Sequence, residues 1–338
     1  MKNLLYIGNE LEDRGGAPTS VDKLSPLFRN EGFEVKTSSS HKNQVLRLSE
    51  MLTSIIKNKS WADYVLIDTY STRNFWYAVL TAQLCRNLQL DYILLLHGGD
   101  LPLRLKKNPQ LSASLFKNAK LNIAPSRYLF EVFQQAGYTN LKYIPNSIFL
   151  KDYPFKSRKV LKPKLLWVRA FAEIYNPMLT LKVLEEFLKE YPEAELCMVG
   201  PVKDDSFQQC VDYAEKNNLP VKFTGKLTKP EWILLSKEYD MFLNTTNIDN
   251  TPVSLIEAMA LGLPIVSTNV GGIPYLLQHK NTGFLVPPDD EVEMLGAIKK
   301  MLQNPVLAEN RSQNARVQAE KFDWEIVKQD WKDVLLSD

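Results

Sequence analysis

From Asn3 onward, short apolar runs alternate with longer mixed stretches. LLYIG, EVKT, YVLID, YILLL, LNIA and LKYI have the length of strands. Val21 to Asn30, Gln44 to Lys57, Phe75 to Leu88 and Tyr128 to Gln135 have the length of helices. Such alternation predicts a parallel sheet with helices on both faces. A second alternation starts at KLLWV and continues through Leu179 to Tyr191, ELCMVG, Phe207 to Asn217, VKFTG, Pro230 to Lys237, MFLN, a stretch from Asp249 to Leu285, and helices from Glu291 on. The polar, proline-containing FLKDYPFKSRKVLKPK between the two reads as an interdomain connector. In sheets of this kind ligands sit outside the carboxyl ends of the strands, so the residue that follows each strand matters most.

The stretch from Asp249 to Leu285 is unusual in its charge. Between Asp249 and Lys280 the only formally charged residue is Glu257, with His279 neutral. Thr251 as N-cap and Pro252 at the first position predict a helix to about Leu261, ended by Gly262. Leu255, Ile256, Ala258, Met259 and Ala260 then surround Glu257, the pattern of a buried helix. A carboxylate there costs on the order of several kcal/mol unless donors meet it. Ile265 and Val266 read as a buried strand leading to Gly271-Gly272, a turn whose backbone N–H groups can face an anion. One acid for hydroxyls and one glycine turn for a phosphate would suit a sugar nucleotide. A buried helix with a single internally satisfied Glu is the plainer reading.

A length of 338 residues allows about two domains with separate cores. A net charge of +2 supplies no global field for nucleic acid. Cys85, Cys197 and Cys210 lie far apart without metal-ligand spacing and read as reduced thiols of a cytoplasmic protein. LLYIG is followed at once by Glu10, Glu12 and Asp13, so it does not read as a secretory leader. No apolar run approaches the ~18 residues of a bilayer span. Leu101 to Lys120 mixes leucines with Arg104, Lys106, Lys107, Lys117 and Lys120, and two readings stay open: a solvated basic face, or a surface for an acceptor or a membrane.

Glu257-Ala258-Met259-Ala260-Leu261-Gly262-Leu263-Pro264, with an acid eight residues earlier at Asp249, resembles the retaining glycosyltransferases of family 4. Their signature is a Glu, seven residues, then Glu-Ala-Met-Ala-x-Gly-x-Pro, followed by a strand and a Gly-Gly turn. The resemblance implies an α/β chain of GT-B fold, two Rossmann-like domains facing each other across a cleft. Residues 1–150 would form the acceptor-side domain and 151–320 the nucleotide-sugar domain, with a terminal helix over 321–338 returning to the first. Ile144-Pro145-Asn146 matches the triplet that closes the first domain in the family. The implied activity is transfer of a hexosyl group from a UDP- or GDP-linked sugar to a hydroxyl of a glycan or lipid-linked acceptor, with retention and without a metal. Two other readings are a non-catalytic relative that binds nucleotide sugars and a GT-B epimerase or phosphorylase. The resemblance also implies peripheral membrane contact through residues 101–120.

Residue by residue, the resemblance assigns Gly15 and Gly16 to the approach of backbone to donor and acceptor, and His97 to the transferred sugar. On its own residues His97 is equally a structural hydrogen-bonding group. Arg169 would neutralise the leaving phosphate. The Lys that follows six positions later in the family is Tyr175 here, so the second cation is missing. Asp249 stands for the family's first Glu, which touches the sugar, and is one methylene shorter. Pro252 removes an amide that Gly supplies in relatives; Asn250, Val253 and Ser254 remain as donor-side groups. Glu257 would bind the ribose diol, Gly200, Thr224 and Gly225 would hold the base, and Gly271 and Gly272 the phosphates.

Overall fold

The computed structural model describes residues 2–10 and 19–337. Gly15 and Gly16 therefore lie outside the described residues. The chain divides into two compact units, one of residues 1–145 with 330–338, the other of residues 146–329.

In the first unit the described elements run β1 (Asn3–Ile7), α1 (Ser20–Asn30), β2 (Glu34–Ser38), α2 (Gln44–Lys57), β3 (Tyr64–Thr69), α3 (Phe75–Asn87), β4 (Tyr92–Leu96), α4 (Leu101–Lys107), α5 (Pro109–Phe116), β5 (Leu121–Ala124), α6 (Arg127–Gln135) and β6 (Leu141–Tyr143). The six strands form one parallel sheet in the order β2-β1-β3-β4-β5-β6. Every residue of β3 and β4 is buried, because helices cover both faces of a parallel sheet. On one face Leu5, Ile7, Val65, Ile67, Leu94 and Leu96 pack under Phe75, Phe116 and Phe133.

The second unit contains β7 (Lys164–Val168), α7 (Pro177–Leu188), β8 (Glu195–Val199), α8 (Ser206–Lys216), β9 (Val221–Gly225), α9 (Lys229–Leu235), β10 (Met241–Asn244), α10 (Val253–Ala260), β11 (Ile265–Thr268), α11 (Ile273–Leu276), β12 (Phe284–Val286), α12 (Glu291–Gln303) and α13 (Pro305–Glu320). Its sheet is again parallel, in the order β12-β11-β10-β7-β8-β9. The last helix, α14 (Trp324–Leu336), begins in this unit, and its residues from Asp330 on group with the first. There Trp331 meets Phe28 edge-on at 5.1 Å, and Lys332 pairs with Glu31 at 2.6 Å.

Three features were not given by the sequence. Helix α10 starts one residue later than its sequence suggests: Pro252, not Thr251, takes the cap position, with ψ 112°. Its missing N–H costs nothing there, since the first turn of a helix has no internal acceptors for its amides. β12, hidden in the polar surroundings of NTGFLVPP, is a strand not read from the sequence. The connector is held in place by its own arginine. Arg158 is buried and donates to the carbonyls of Ser236, Tyr239, Leu261 and Gly262, so the segment straps the carboxyl end of α10.

Candidate active site

In the second sheet the chain order reverses between β7 and β10, and such a switch point opens a crevice outside the carboxyl ends of the two strands. Arg169 directly follows β7. Its N–H donates to the Val199 carbonyl at 3.0 Å, and its own carbonyl lies so near Gly200 that a Cβ there would stand 1.7 Å from the oxygen. Gly200 in turn donates to the Gly225 carbonyl at 2.9 Å. Glycine at 200 thus fixes the backbone from which the guanidinium projects.

That guanidinium has two contacts. One terminal nitrogen pairs with Asp249 Oδ2, and the Tyr175 ring lies 4.3 Å from its Cζ. Its Nε is buried with no hydrogen-bond partner among the described residues. Burial pushes the Asp249 carboxyl above its ordinary range, while Arg169 and the Asn250 N–H pull it back. Placed beyond β10, Asp249 is thus turned onto the cation, although the resemblance assigns it to the sugar.

The glycine turn also differs from expectation. The Gly272 N–H donates to the Asp249 carbonyl at 2.9 Å and is not free for a phosphate. A Cβ at Gly271 would come within 2.1 Å of the Asp249 oxygen, and one at Gly272 within 1.7 Å of the Asn250 oxygen. The pair lets two backbones touch and so locks residues 249–250. Half-buried Val253 and Ser254 open α10, where their amides have no acceptor inside the helix. Thr224 turns its hydroxyl onto the Gly225 carbonyl at 3.0 Å, and both residues are half-buried.

Glu257 heads a separate cluster on the same helix. It is 1% exposed. One carboxylate oxygen accepts from the Tyr153 hydroxyl at 2.7 Å and from the Lys229 ammonium. The other, Oε2, is buried and has no partner among the described residues. Burial first, then the Glu257 charge, push the Tyr153 phenol up, so it stays protonated and donates. Lys229 reaches in from the start of α9 with its side chain 55% exposed. Neither partner was visible in the sequence. Tyr153 lies in the connector, and Lys229 sits inside a Thr228/Glu231 capping box that reads as purely structural.

In the first unit His97 follows β4. Its Nε2 lies 2.9 Å from Asp68 Oδ1, and Asp68 also accepts from the Tyr6 hydroxyl at 2.9 Å and the Tyr70 hydroxyl at 3.4 Å. A carboxylate only accepts, so Nε2 carries the proton and Nδ1 points to the Ser20 hydroxyl at 3.4 Å. Desolvation, then the Asp68 charge, raise both phenols. Tyr6 and Asp68 stand in the sequence as members of strand-length runs and Tyr70 follows the second of them; the signal available is an acid at the end of an otherwise apolar strand.

In the basic segment, Arg104 is tied to the Ser71 carbonyl at 2.7 Å and stacks on Phe75, and Lys120 pairs with Asp91 at 3.2 Å. Lys106, Lys107 and Lys117 remain exposed. Among the described residues no helix is long and apolar enough to cross a membrane.

Comparison with known proteins adds the family. The model of the family described as Glycosyl transferases group 1 matches residues 151–318. Sulfoquinovosyl transferase SQD2 of Arabidopsis thaliana is 31% identical over 155 residues, 43% of this chain and 28% of that protein. Glycogen synthase of Mycobacterium tuberculosis is 24% identical over 196 residues, 56% of this chain and 47% of that protein. The chain thus spans less than half the length of these curated relatives. Among solved structures, Anabaena Alr3699/HepE in complex with UDP and glucose superposes with a TM-score of 0.79 over all of both chains at 17% identity. Sucrose-phosphate synthase from Thermosynechococcus elongatus does so at 0.78, over 99% of this chain and 98% of that one, at 15% identity. At such identities the structural likeness speaks for the fold. Through residues 151–318 the chain belongs to the group 1 glycosyltransferases, and its two parallel six-stranded sheets are those of the GT-B fold.

Proposed function

We propose that the chain transfers a hexosyl group from a UDP- or GDP-linked sugar to a hydroxyl of a glycan or lipid-linked acceptor, with retention and without a metal. The observation that carries this reading is the unpartnered, buried Oε2 of Glu257. A carboxylate oxygen removed from water without a donor is costly, and a ribose diol supplies O–H donors to it. Lys229, whose side chain is 55% exposed, can yield the space. Arg169 and the first amides of α10 would take the diphosphate, where negative charge grows as the nucleotide leaves. In the retaining reaction the bond from the anomeric carbon to the phosphate oxygen breaks. The acceptor oxygen bonds the same face of that carbon, and its proton passes to the leaving phosphate. His97 retains the role the resemblance gives it, a contact to the transferred sugar.

The test is thermal shift against UDP, GDP, ADP and their sugars. A donor at a hundred times its Kd stabilises by about 2.7 kcal/mol. One base should raise the Tm clearly, and Glu257→Gln should abolish the rise while melting as the parent does without nucleotide. No shift with any nucleotide at millimolar concentration overturns the proposal. Product stereochemistry by NMR with mixed acceptors checks retention, and binding without turnover would favour the non-catalytic alternative that the Tyr175 and Asp249 departures suggest.

A further inference from the structure

We infer that Asp249 is a positioning residue for Arg169, acting on the nucleotide diphosphate through the guanidinium rather than touching the transferred sugar. The inference rests on the nucleotide-sugar reading above and deepens it. Four observations carry it. Asp249 Oδ2 is paired with the Arg169 guanidinium. The same carboxylate also accepts from the Asn250 N–H, which helps to fix its direction. Its backbone is clamped by the Gly271-Gly272 turn, through the Gly272 N–H and through approaches that no side chain at either glycine would permit. The Tyr175 ring also lies against the guanidinium, its centroid 4.3 Å from Cζ, at the position where relatives carry a second cation.

Chain length supports the assignment. An Asp on a backbone fixed this rigidly reaches the guanidinium and goes no further. The arrangement leaves Arg169 Nε buried and without a partner among the described residues, a donor oriented in advance for an anionic oxygen. With one cation where relatives have two, orientation of that cation matters more, because a planar guanidinium binds phosphate well only in register.

The test is a double-mutant cycle on the full chain with Arg169→Ala, Asp249→Ala and the double variant. The readouts are the Kd for UDP or GDP, whichever the parent binds, and the ratio of kcat/KM for two epimeric donor sugars. Expected is about a tenfold loss of nucleotide affinity in Asp249→Ala, no further loss beyond twofold when Asp249→Ala is added to Arg169→Ala, and an unchanged donor ratio. Additive losses, or a shifted donor ratio with unchanged nucleotide affinity, overturn the inference. If Asp249→Ala does not fold, Asp249→Asn, which still accepts a hydrogen bond, serves in its place, with the same null effect expected in the Arg169→Ala background. Failure of the parent to bind any nucleotide strikes the underlying functional reading, whereas additivity in a parent that binds strikes only the role of Asp249.

Discussion

At the scale of single residues the site is built from groups whose partners come from distant chain positions. Asp249 shows how burial and pairing compete. Its carboxyl is held above the ordinary value, with desolvation outweighing the Arg169 charge, so the protonated form is favoured by folding. The stability this group contributes is therefore fully present below the ordinary carboxylate value of 3.8 and is lost as pH rises through the raised one. Asn at this position does not titrate. Denaturant melts between acid pH and neutrality should show the parent losing stability relative to Asp249→Asn as pH rises; parallel curves would remove the claim. Glu257 was legible as an anomaly, a lone charge in an apolar helix. Its donors were not, because Tyr153 and Lys229 lie 104 and 28 residues away and only folding brings them to it.

Elements turn those residues into a site by ending where they do. The strand pattern of both units was readable because parallel strands buried on both faces are continuous apolar runs with few rivals in composition. β12 escaped because three residues between a glycine and two prolines give no period. The junction after β8 has a sharper requirement. A Cβ at Gly200 would stand 1.7 Å from the Arg169 carbonyl, so one of the two backbones must move. Gly200→Ala is expected to cost about 2–3 kcal/mol in urea denaturation, and to weaken nucleotide binding beyond what global unfolding explains, because Arg169 shifts with its carbonyl. Wild-type stability and affinity in that variant would show that the contact relaxes freely. The connector teaches the converse lesson. Its polar, proline-containing composition reads as a connector and no more, and Arg158 fixes it to the carbonyls that end α10, a use of guanidinium that composition does not reveal.

For the whole molecule, the two units have separate cores, and the last residues belong with the first unit although the helix begins in the second. Trp331 is 4% exposed and packs on Phe28, so Trp331→Ala should destabilise the first unit by about 3–5 kcal/mol. Hydrogen exchange resolved by segment should show the loss in residues 2–10 and 19–145 and leave the protection of residues 146–329 intact; uniform loss over the chain would contradict separate cores. What the sequence determined alone was the set of local decisions: strand and helix alternation, the buried helix carrying Glu257, and the string from Glu257 to Pro264 that marks the family. These depend on neighbours within one or two turns of chain, and such neighbours are written side by side. Only the tertiary structure decided which groups meet. It turned Asp249 onto Arg169, engaged the Gly272 amide internally, set Tyr153 and Lys229 on one oxygen of Glu257 and left the other bare. Hydrogen bonds act over about 3 Å in space and at any separation along the chain, so they become legible only after the chain has folded.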